Sequence, residues 1–142
     1  MGVSISSKNV FLDMGYMEFE RLRQTVARLC PKEIADHYLA LLELHRELMG
    51  KECKEAWQAY DERTEELYEN NKKYQKVMEF LYASDCSAKM TYGCAKQLLQ
   101  TIGDYDDDII YGYGGREHPA KFCDFKRMLQ DAYETKKGFQ WC

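Results

Sequence analysis

The chain has 142 residues, of which 45% are hydrophobic and 31% charged, and its formal net charge is −4. This length and composition are typical of one folded domain with one core, so we expect residues 1–142 to form a single domain. The acidic balance argues against a nucleic-acid partner, because proteins that hold a phosphate backbone concentrate basic residues on one face. No apolar run approaches the length of a membrane span, which argues against a membrane partner.

The start of the chain and its cysteines bear on the cellular compartment. Residues 2–8 lack the basic region and the long apolar core of a signal peptide. The six cysteines contain no CxxC pair, so we expect free thiols, no structural metal site and no cofactor. Together these features predict a cytoplasmic protein.

The first part of the chain is predicted to contain extended segments followed by two helices. Residues 2–12 have strand character around a turn. Pro31 is a favourable first residue for the second helix, and Gly50 is its expected end. The first helix, over residues 16–29, is indicated by apolar residues that recur every three or four positions: Phe19, Leu22, Val26 and Leu29.

Residues 51–83 carry the most regular pattern in the chain. Side chains of one stripe recur at alternating spacings of four and three, which predicts one long helix of roughly 45 Å. Asn70-Asn71 could instead divide this segment into two helices. A helix of that length would project from the domain or pair with another chain, so we predict a homo-oligomer seam. Its central residues are Trp57, Tyr60, Leu67, Tyr74 and Met78.

Two further helices are predicted in the remainder of the chain. One is expected from a cap at Ser84 to Gly103. The last is expected from Pro119 to Gly138. Residues 139–142 are predicted as a short strand that pairs with the N-terminal strand.

The predicted fold class follows from these elements. We expect a mainly α protein with about five helices, one of them long. A minor β element is expected from the two termini and from residues 109–113, where apolar and aromatic residues suggest a short strand.

The connection over residues 103–118 holds four aspartates, three tyrosines and four glycines. Long connections without regular structure are often functional. Clustered carboxylates repel one another unless a cation or an arginine is near, and in an extended segment the tyrosines would lie on one side, opposite the acidic side. We therefore predict a surface that binds a ligand or a partner. Its residues are Tyr105, Asp106, Asp108, Tyr111, Tyr113 and Arg116.

Other interpretations of this connection stay open. The plainest is a solvated turn that leads into a short strand. The aspartates of residues 104–108 resemble the first ligands of a calcium loop, but Ile109 stands where that loop requires glycine. Arg116 could hold an anion beside the last helix, although Pro119 removes one amide donor there.

Histidines and nucleophiles give no catalytic pattern. His37 and His45 are eight residues apart with Leu41 between them, so they cannot chelate one ion, and we predict structural roles for both. No cysteine lies in a nucleophile signature, and the GxSxG elbow is absent. We therefore assign no catalytic residue and no metal ligand.

Parts of the chain resemble a known group of proteins. In chain order, they are the opening Gly-Val-Ser-Ile-Ser-Ser-Lys-Asn, then Asp13-Met14-Gly15-Tyr16, Phe19-x-x-Leu22-Arg23 and Tyr111-Gly112-Tyr113-Gly114-Gly115. These segments look like those of short uncharacterised proteins carried by phages and mobile elements of Gram-positive gut bacteria. The resemblance implies a small accessory protein, for which antagonism of host defence is one role, and it transfers no functional residue.

These observations favour a non-enzymatic binding protein that occupies a partner protein or sequesters a small ligand through residues 104–116. The first alternative is a small metal-assisted hydrolase that uses the aspartates of residues 104–108, and metal-dependent turnover would distinguish it. The second is a structural protein that assembles through the helix over residues 51–83. A defined oligomer without a ligand pocket would favour that alternative.

Overall fold

A computed structural model of the protein describes residues 2–48, 53–115 and 118–142. It shows a mixed α/β fold that is 60% helical with 15% of residues in strands. None of the described helices is both long and apolar enough to cross a lipid bilayer. The six α-helices of the described ranges are α1 (Tyr16–Arg28), α2 (Lys32–Glu47), α3 (Lys54–Asn70), α4 (Gln75–Tyr82), α5 (Tyr92–Ile102) and α6 (Phe122–Glu134).

The strands form one antiparallel sheet. They are β1 (Gly2–Ser6), β2 (Phe11–Gly15), β3 (Ala88–Met90), β4 (Gly112–Tyr113), β5 (Pro119–Ala120) and β6 (Phe139–Trp141). Their order in the sheet is β3-β6-β1-β2-β4-β5. The pairing of Ile5 with Trp141 joins the first strand to the last described one.

Helices cover one face of the sheet, and the core lies between the two layers. Along β1, β2 and β6, buried side chains alternate with more exposed ones, as expected when only one face is covered. Outward positions such as Phe11 and Asp13 on β2 are exposed. The largest buried aromatic side chains are Phe19, Phe80, Tyr111, Phe122, Phe125 and Trp141.

Arg23 of α1 is a buried cation in this core, with a side chain that is only 4% exposed. Burial lowers its pKa below the usual value. Its guanidinium lies beside three aromatic rings, those of Phe19, Phe80 and Trp141. It donates hydrogen bonds to three carbonyl oxygens after or at the end of α4: Leu81 at 3.0 Å, Ala83 at 2.8 Å and Ser84 at 3.3 Å.

Helices α2 and α3 form an antiparallel pair, here named the α2–α3 arm, whose outer half lies outside the core. No residue of the described segments 39–48 and 53–66 is buried. Residues 49–52 lie outside the described ranges, and so does Gly50, where we expected the second helix to end. The arm is therefore joined to the core mainly by the start of α2 and the end of α3, where the buried residues of the two helices lie.

The prediction of a mainly α fold with a minor β element is wrong. The termini and part of residues 109–113 do form strands, but these belong to a six-stranded sheet that also contains β2, β3 and β5. Strands β3, β4 and β5 have only two or three residues each. Strands of two or three residues are too short to show an alternating pattern in the sequence. Their stability depends on pairing with neighbouring strands, which the sequence does not reveal.

The prediction of one long helix over residues 51–83 is also wrong. Asn71 has φ −126° and ψ 66°, outside the helical region, and a 3₁₀ turn over Lys72–Tyr74 then leads into α4. The Asn71 side chain donates to the carbonyl oxygen of Leu67 at 2.8 Å. This bond satisfies an acceptor that a continuing helix would have used. The break divides the predicted helix into α3 and α4, so the described ranges hold six α-helices.

Two other helices begin later than predicted. The helix expected from Ser84 starts at Tyr92, because Ala88–Met90 form β3 before it. The hydroxyl of Thr91 accepts the N–H of Cys94 at 3.3 Å and so supplies the N-terminal cap. Pro119 belongs to β5 rather than to the first turn of α6.

Candidate functional site

The connection between α5 and β4 is organised around one carboxylate, that of Asp107. Its Oδ2 accepts hydrogen bonds from the hydroxyls of Tyr105 and Tyr111, each at 2.8 Å. Its Oδ1 accepts the backbone N–H of Ile109 at 2.9 Å. Because three donors converge on this side chain, the connection has a defined shape.

Tyr111 holds the connection to the core. Its side chain is 1% exposed, and its hydroxyl lies 3.2 Å from Oγ1 of Thr25 on α1. Its backbone N–H donates to the carbonyl of Ala120 at 2.8 Å. Burial raises the pKa of Tyr111 above its usual value, and the carboxylate of Asp107 acts in the same direction. A ligand could not reach this hydroxyl without opening the core, so Tyr111 is a positioning residue.

The three tyrosines of the connection do not share one face. The ring of Tyr105 lies edge-on to Phe122 with 4.9 Å between centroids, and its hydrogen bond to Asp107 raises its pKa. Tyr113 on β4 is 57% exposed. The alternation expected of an extended chain fails because residues 104–111 turn around the Asp107 side chain.

The other carboxylates of the connection point to different surroundings. Asp104, Asp106 and Asp108 are exposed. Asp106 accepts the N–H of its neighbour Asp107 at 2.9 Å, and Asp108 lies 3.8 Å from the ammonium of Lys121. Within the described part of the chain, no three His, Cys, Asp or Glu side chains are placed to hold a metal ion.

A shallow groove lies beside the connection and over β2; we call it the β2–β4 groove. It has a volume of about 500 Å³ and is lined by residues 13–15, Glu18, Ile110, Gly112 and Tyr113. A β-carbon at Gly112, whose φ is +150°, would collide with the backbone of β2. Glycine at this position therefore allows β4 to approach β2 and to form one side of the groove.

Ile110 and Tyr113 line the β2–β4 groove, and two more exposed apolar residues are near its lining residues in the chain: Phe11 on β2, and Met17 between Gly15 and Glu18. We call Phe11, Met17, Ile110 and Tyr113 the apolar patch. Their exposed fractions are 53%, 78%, 53% and 57%. Phe11 lies two residues from Asp13 on the same face of β2, and Asp13 pairs with Tyr113. Phe11 and Tyr113 are thus diagonal neighbours on the open face of the sheet. Apolar area gathered in this way is typical of an interaction surface.

Arg116, the last residue of the predicted surface, lies outside the described ranges. The binding role and the anion site that we predicted for Arg116 therefore also lie outside the described residues. Of the other five predicted residues, Tyr113 lines the groove, whereas Tyr105 and Tyr111 support the connection from within. Asp106 and Asp108 remain available to solvent.

The residues predicted as an oligomer seam contact other parts of the same chain. Tyr60 is stacked on His37 of α2 at 3.9 Å between ring centroids, and Trp57 lies 4.9 Å from His45 in the same measure. The hydroxyl of Tyr60 also donates to the carbonyl of His37 at 2.8 Å. Self-association through this seam stays a prediction. The other three seam residues lie in the core or at its edge: Leu67, Tyr74 and Met78.

His37 joins the two helices of the α2–α3 arm. Its Nε2 lies 2.7 Å from Oγ1 of Thr64, whose hydroxyl donates to the carbonyl of Tyr60. The Thr64 oxygen must therefore accept, which assigns the proton to Nε2 of His37. Burial lowers the pKa of His37, and the charge of Arg63 acts in the same direction. This histidine is a structural neutral ring within the arm.

Sequence reasoning missed Asp107 as the centre of the connection and omitted Phe11 and Met17 from the surface. A signal for Phe11 was present, since Leu12 and Met14 occupy the inward positions of the same strand and place Phe11 outward. No comparable signal identifies Asp107 among its neighbouring aspartates.

Comparisons with known proteins add no function. No family model matches the chain, and no match was found among curated proteins or among solved structures. The resemblance to phage and mobile-element proteins therefore stays a prediction.

Proposed function

We propose that this protein is a non-enzymatic binding protein that occupies a partner protein through the β2–β4 groove and the apolar patch. The observation that carries the proposal is the exposure of four large apolar side chains beside a groove whose wall is held from within by Asp107. Exposed apolar side chains that lie close together often mark a protein interaction surface, because covering them removes apolar area from water.

The shape of the groove favours a protein over a small ligand. Small ligands usually bury most of their surface in a concave pocket. The β2–β4 groove is shallow, and Phe11 and Met17 lie beside it rather than among its lining residues. A small molecule in the groove would leave these two side chains in water, whereas a protein surface could cover them together with Tyr113.

The charges at the groove indicate what the partner carries. Asp13 and Glu18 line it, and Asp106 and Asp108 are exposed on the adjoining connection. An apolar centre with an acidic border fits a partner that presents apolar side chains surrounded by lysine or arginine.

The place of action is part of the same proposal. The six cysteines, which all lie in the described ranges, are unpaired. Free thiols are the usual state in the reducing cytoplasm, where we propose that the protein acts. Antagonism of host defence rests on the resemblance alone and stays a prediction.

Affinity capture of the full chain from cells that express it, followed by quantitative mass spectrometry, tests the proposal. Tyr113→Ala and Ile110→Ala should each reduce recovery of the same co-captured protein by about tenfold or more, because truncating a central interface side chain commonly has this effect. Tyr133→Ala is the matched control, since Tyr133 is a partly exposed aromatic residue of α6. All three variants should unfold within about 0.5 kcal/mol of the unaltered protein.

Equal recovery of every protein by the unaltered chain and by both groove variants would contradict the proposal. Native mass spectrometry adds a second readout. A small molecule that remains bound to the unaltered chain and is lost from Tyr113→Ala would assign the groove to sequestration of a small ligand instead.

A further inference from the structure

A second groove, between α4 and α5, collects positive charge on a protein whose net charge is negative. It consists of two adjoining hollows of about 510 and 520 Å³ that share Gln97 and Gln100. We call it the lysine groove, and its defining residues are Lys72, Lys73, Lys76, Lys96, Gln97 and Gln100.

We propose that the lysine groove binds a small anion that carries phosphate groups. This inference is independent of the partner proposed for the β2–β4 groove, because it concerns other residues on other elements. Lys76 and Lys96 would hold one phosphate together with the first turn of α5, and Lys72 and Lys73 would hold a second.

The composition of the lining is the first support for this proposal. Neither hollow has an aspartate or a glutamate among its lining residues. Within the ranges that the structure describes, none of the four lysines forms an ion pair. Glu79, three residues after Lys76 on α4, accepts the hydroxyl of Tyr68 at 2.8 Å. Four lysines around hollows that no carboxylate lines create a positive potential that favours an anion.

The position of Lys76 is the second support. Its ammonium lies over Gly93 in the first turn of α5, where a β-carbon would collide with it. The first turn holds no acidic residue. The Thr91 hydroxyl accepts a hydrogen bond from the N–H of Cys94. In the described part of the chain, no group accepts a hydrogen bond from the N–H of Tyr92 or of Gly93. A cation and the positive end of a helix dipole thus meet at one place, which an anion between them would stabilise.

Gln97 supplies an oriented donor. Its Oε1 accepts the backbone N–H of Lys76 at 2.9 Å. Since the oxygen of the side-chain amide is occupied in this way, its NH₂ group remains to donate to a ligand in the groove. The geometry therefore combines charge from lysines with neutral donors from an amide side chain and from the backbone, the combination that phosphate oxygens accept.

Inorganic polyphosphate and the phosphates of a nucleotide offer the same chemistry. Tyr92, which is 45% exposed, lies in the lining of the second hollow and could stack on a nucleobase. The two sources are distinguished by titrating the full chain with tripolyphosphate, with ATP and with adenosine.

Amide NMR spectra and calorimetry of these titrations test the proposal. Tripolyphosphate should shift the backbone amides of Tyr92 and Gly93 and the side-chain amide of Gln97 in a saturable manner. Lys76→Gln and Lys96→Gln should each weaken binding by about tenfold, the effect of losing one charge-assisted contact.

Lys89→Gln is the control for net charge, because Lys89 is an exposed lysine on β3, outside both hollows. It should leave the affinity unchanged. Equal binding of ATP and tripolyphosphate would identify phosphate as the whole determinant. Tighter binding of ATP that is lost in Tyr92→Ala would identify a nucleotide. Either result supports the proposal.

Three results would overturn it. One is the lack of a saturable shift at the amides of α5. Another is an equal loss of affinity in Lys89→Gln and Lys76→Gln, which would show only non-specific attraction. The third is tighter binding of a short single-stranded oligothymidylate than of either small anion, which would assign the groove to nucleic acid.

Discussion

Replacing Arg23 with leucine should lower the free energy of unfolding by about 2–4 kcal/mol. Leucine keeps apolar contact with the surrounding rings but cannot donate to the carbonyls of Leu81, Ala83 and Ser84. The Ser84 carbonyl keeps a second donor, since Trp141 Nε1 lies 2.8 Å from it. The other two carbonyls, those of Leu81 and Ala83, lose their charged donor without such a replacement in the described part of the chain, and each of those bonds contributes roughly 1.5–3 kcal/mol.

Part of this loss is offset because the variant no longer buries a charge. Burial lowers the pKa of Arg23, and its Nε has no hydrogen-bond partner in the described part of the chain. Relief of the guanidinium's desolvation returns on the order of 1–2 kcal/mol, since the native state already compensates most of that cost with hydrogen bonds and aromatic contacts. The carbonyl bonds are the larger effect, so the net change is destabilising.

Urea and thermal unfolding followed by circular dichroism measure this change. For a domain of this size, the expected loss corresponds to a fall in Tm of roughly 5–15 °C. Arg21→Leu is the matched control, because Arg21 lies exposed on the same helix and should change stability by less than about 0.5 kcal/mol. An Arg23→Leu protein as stable as the unaltered chain would refute the reasoning, since it would show that an apolar side chain stabilises this site equally well.

Three further changes test the connection, the arm and the core. Asp107→Ala should lower stability by about 1–3 kcal/mol and remove hydrogen-exchange protection from the connection; a similar effect of Asp108→Ala would contradict this assignment. Because burial holds the pKa of His37 below its usual 6.5, the stability that its neutral ring contributes is complete above that pH and is lost as pH falls towards the folded-state pKa. The variant His37→Gln should therefore flatten the acid side of a plot of Tm against pH, and an unchanged curve would refute this role. Burial raises the pKa values of Cys30 and Cys94 to about 12, so a thiol reagent should modify them only after unfolding, and their rapid reaction in the native protein would show that the core opens. The exposed thiols should react at once: Cys86, Cys123 and Cys142.

The helices with a complete apolar stripe are those that sequence could predict. The first was expected over residues 16–29 and runs over Tyr16–Arg28. Its stripe suffices because the buried positions recur within the helix itself. At Asn71 the same reasoning fails, since the stripe continues through the break while the side chain of Asn71 replaces a backbone donor.

A repeating stripe does not identify the surface that covers it. Trp57 and Tyr60 lie on the expected face of α3, but their neighbours are His45 and His37 on α2 of the same chain. The spacing of apolar residues is the same for an intramolecular and an intermolecular partner. The spacing therefore indicated which face of α3 is covered. It could not distinguish packing against α2 from packing against a second copy of the chain.

The candidate site could be predicted only as a region. Composition pointed to residues 104–116, yet it could not tell that Tyr111 faces the core and Tyr113 faces solvent. That distinction depends on Asp107, whose hydrogen bonds turn the backbone and end the simple alternation of an extended chain. Contacts with Thr25, far away in sequence, complete the arrangement.

The pairing of β1 with β6 sets the order in which this protein can fold. Ile5 and Trp141 are partners in the middle of the sheet, although almost the whole described chain separates them. Among the described strands, β3 pairs with β6 alone. Local contacts can form the helices early, but loop closure over such a separation carries a large entropic cost and slows folding. During synthesis the sheet stays incomplete until β6 has left the ribosome, and until then the edge of β1 that pairs with β6 lacks its partner and can be bound by chaperones.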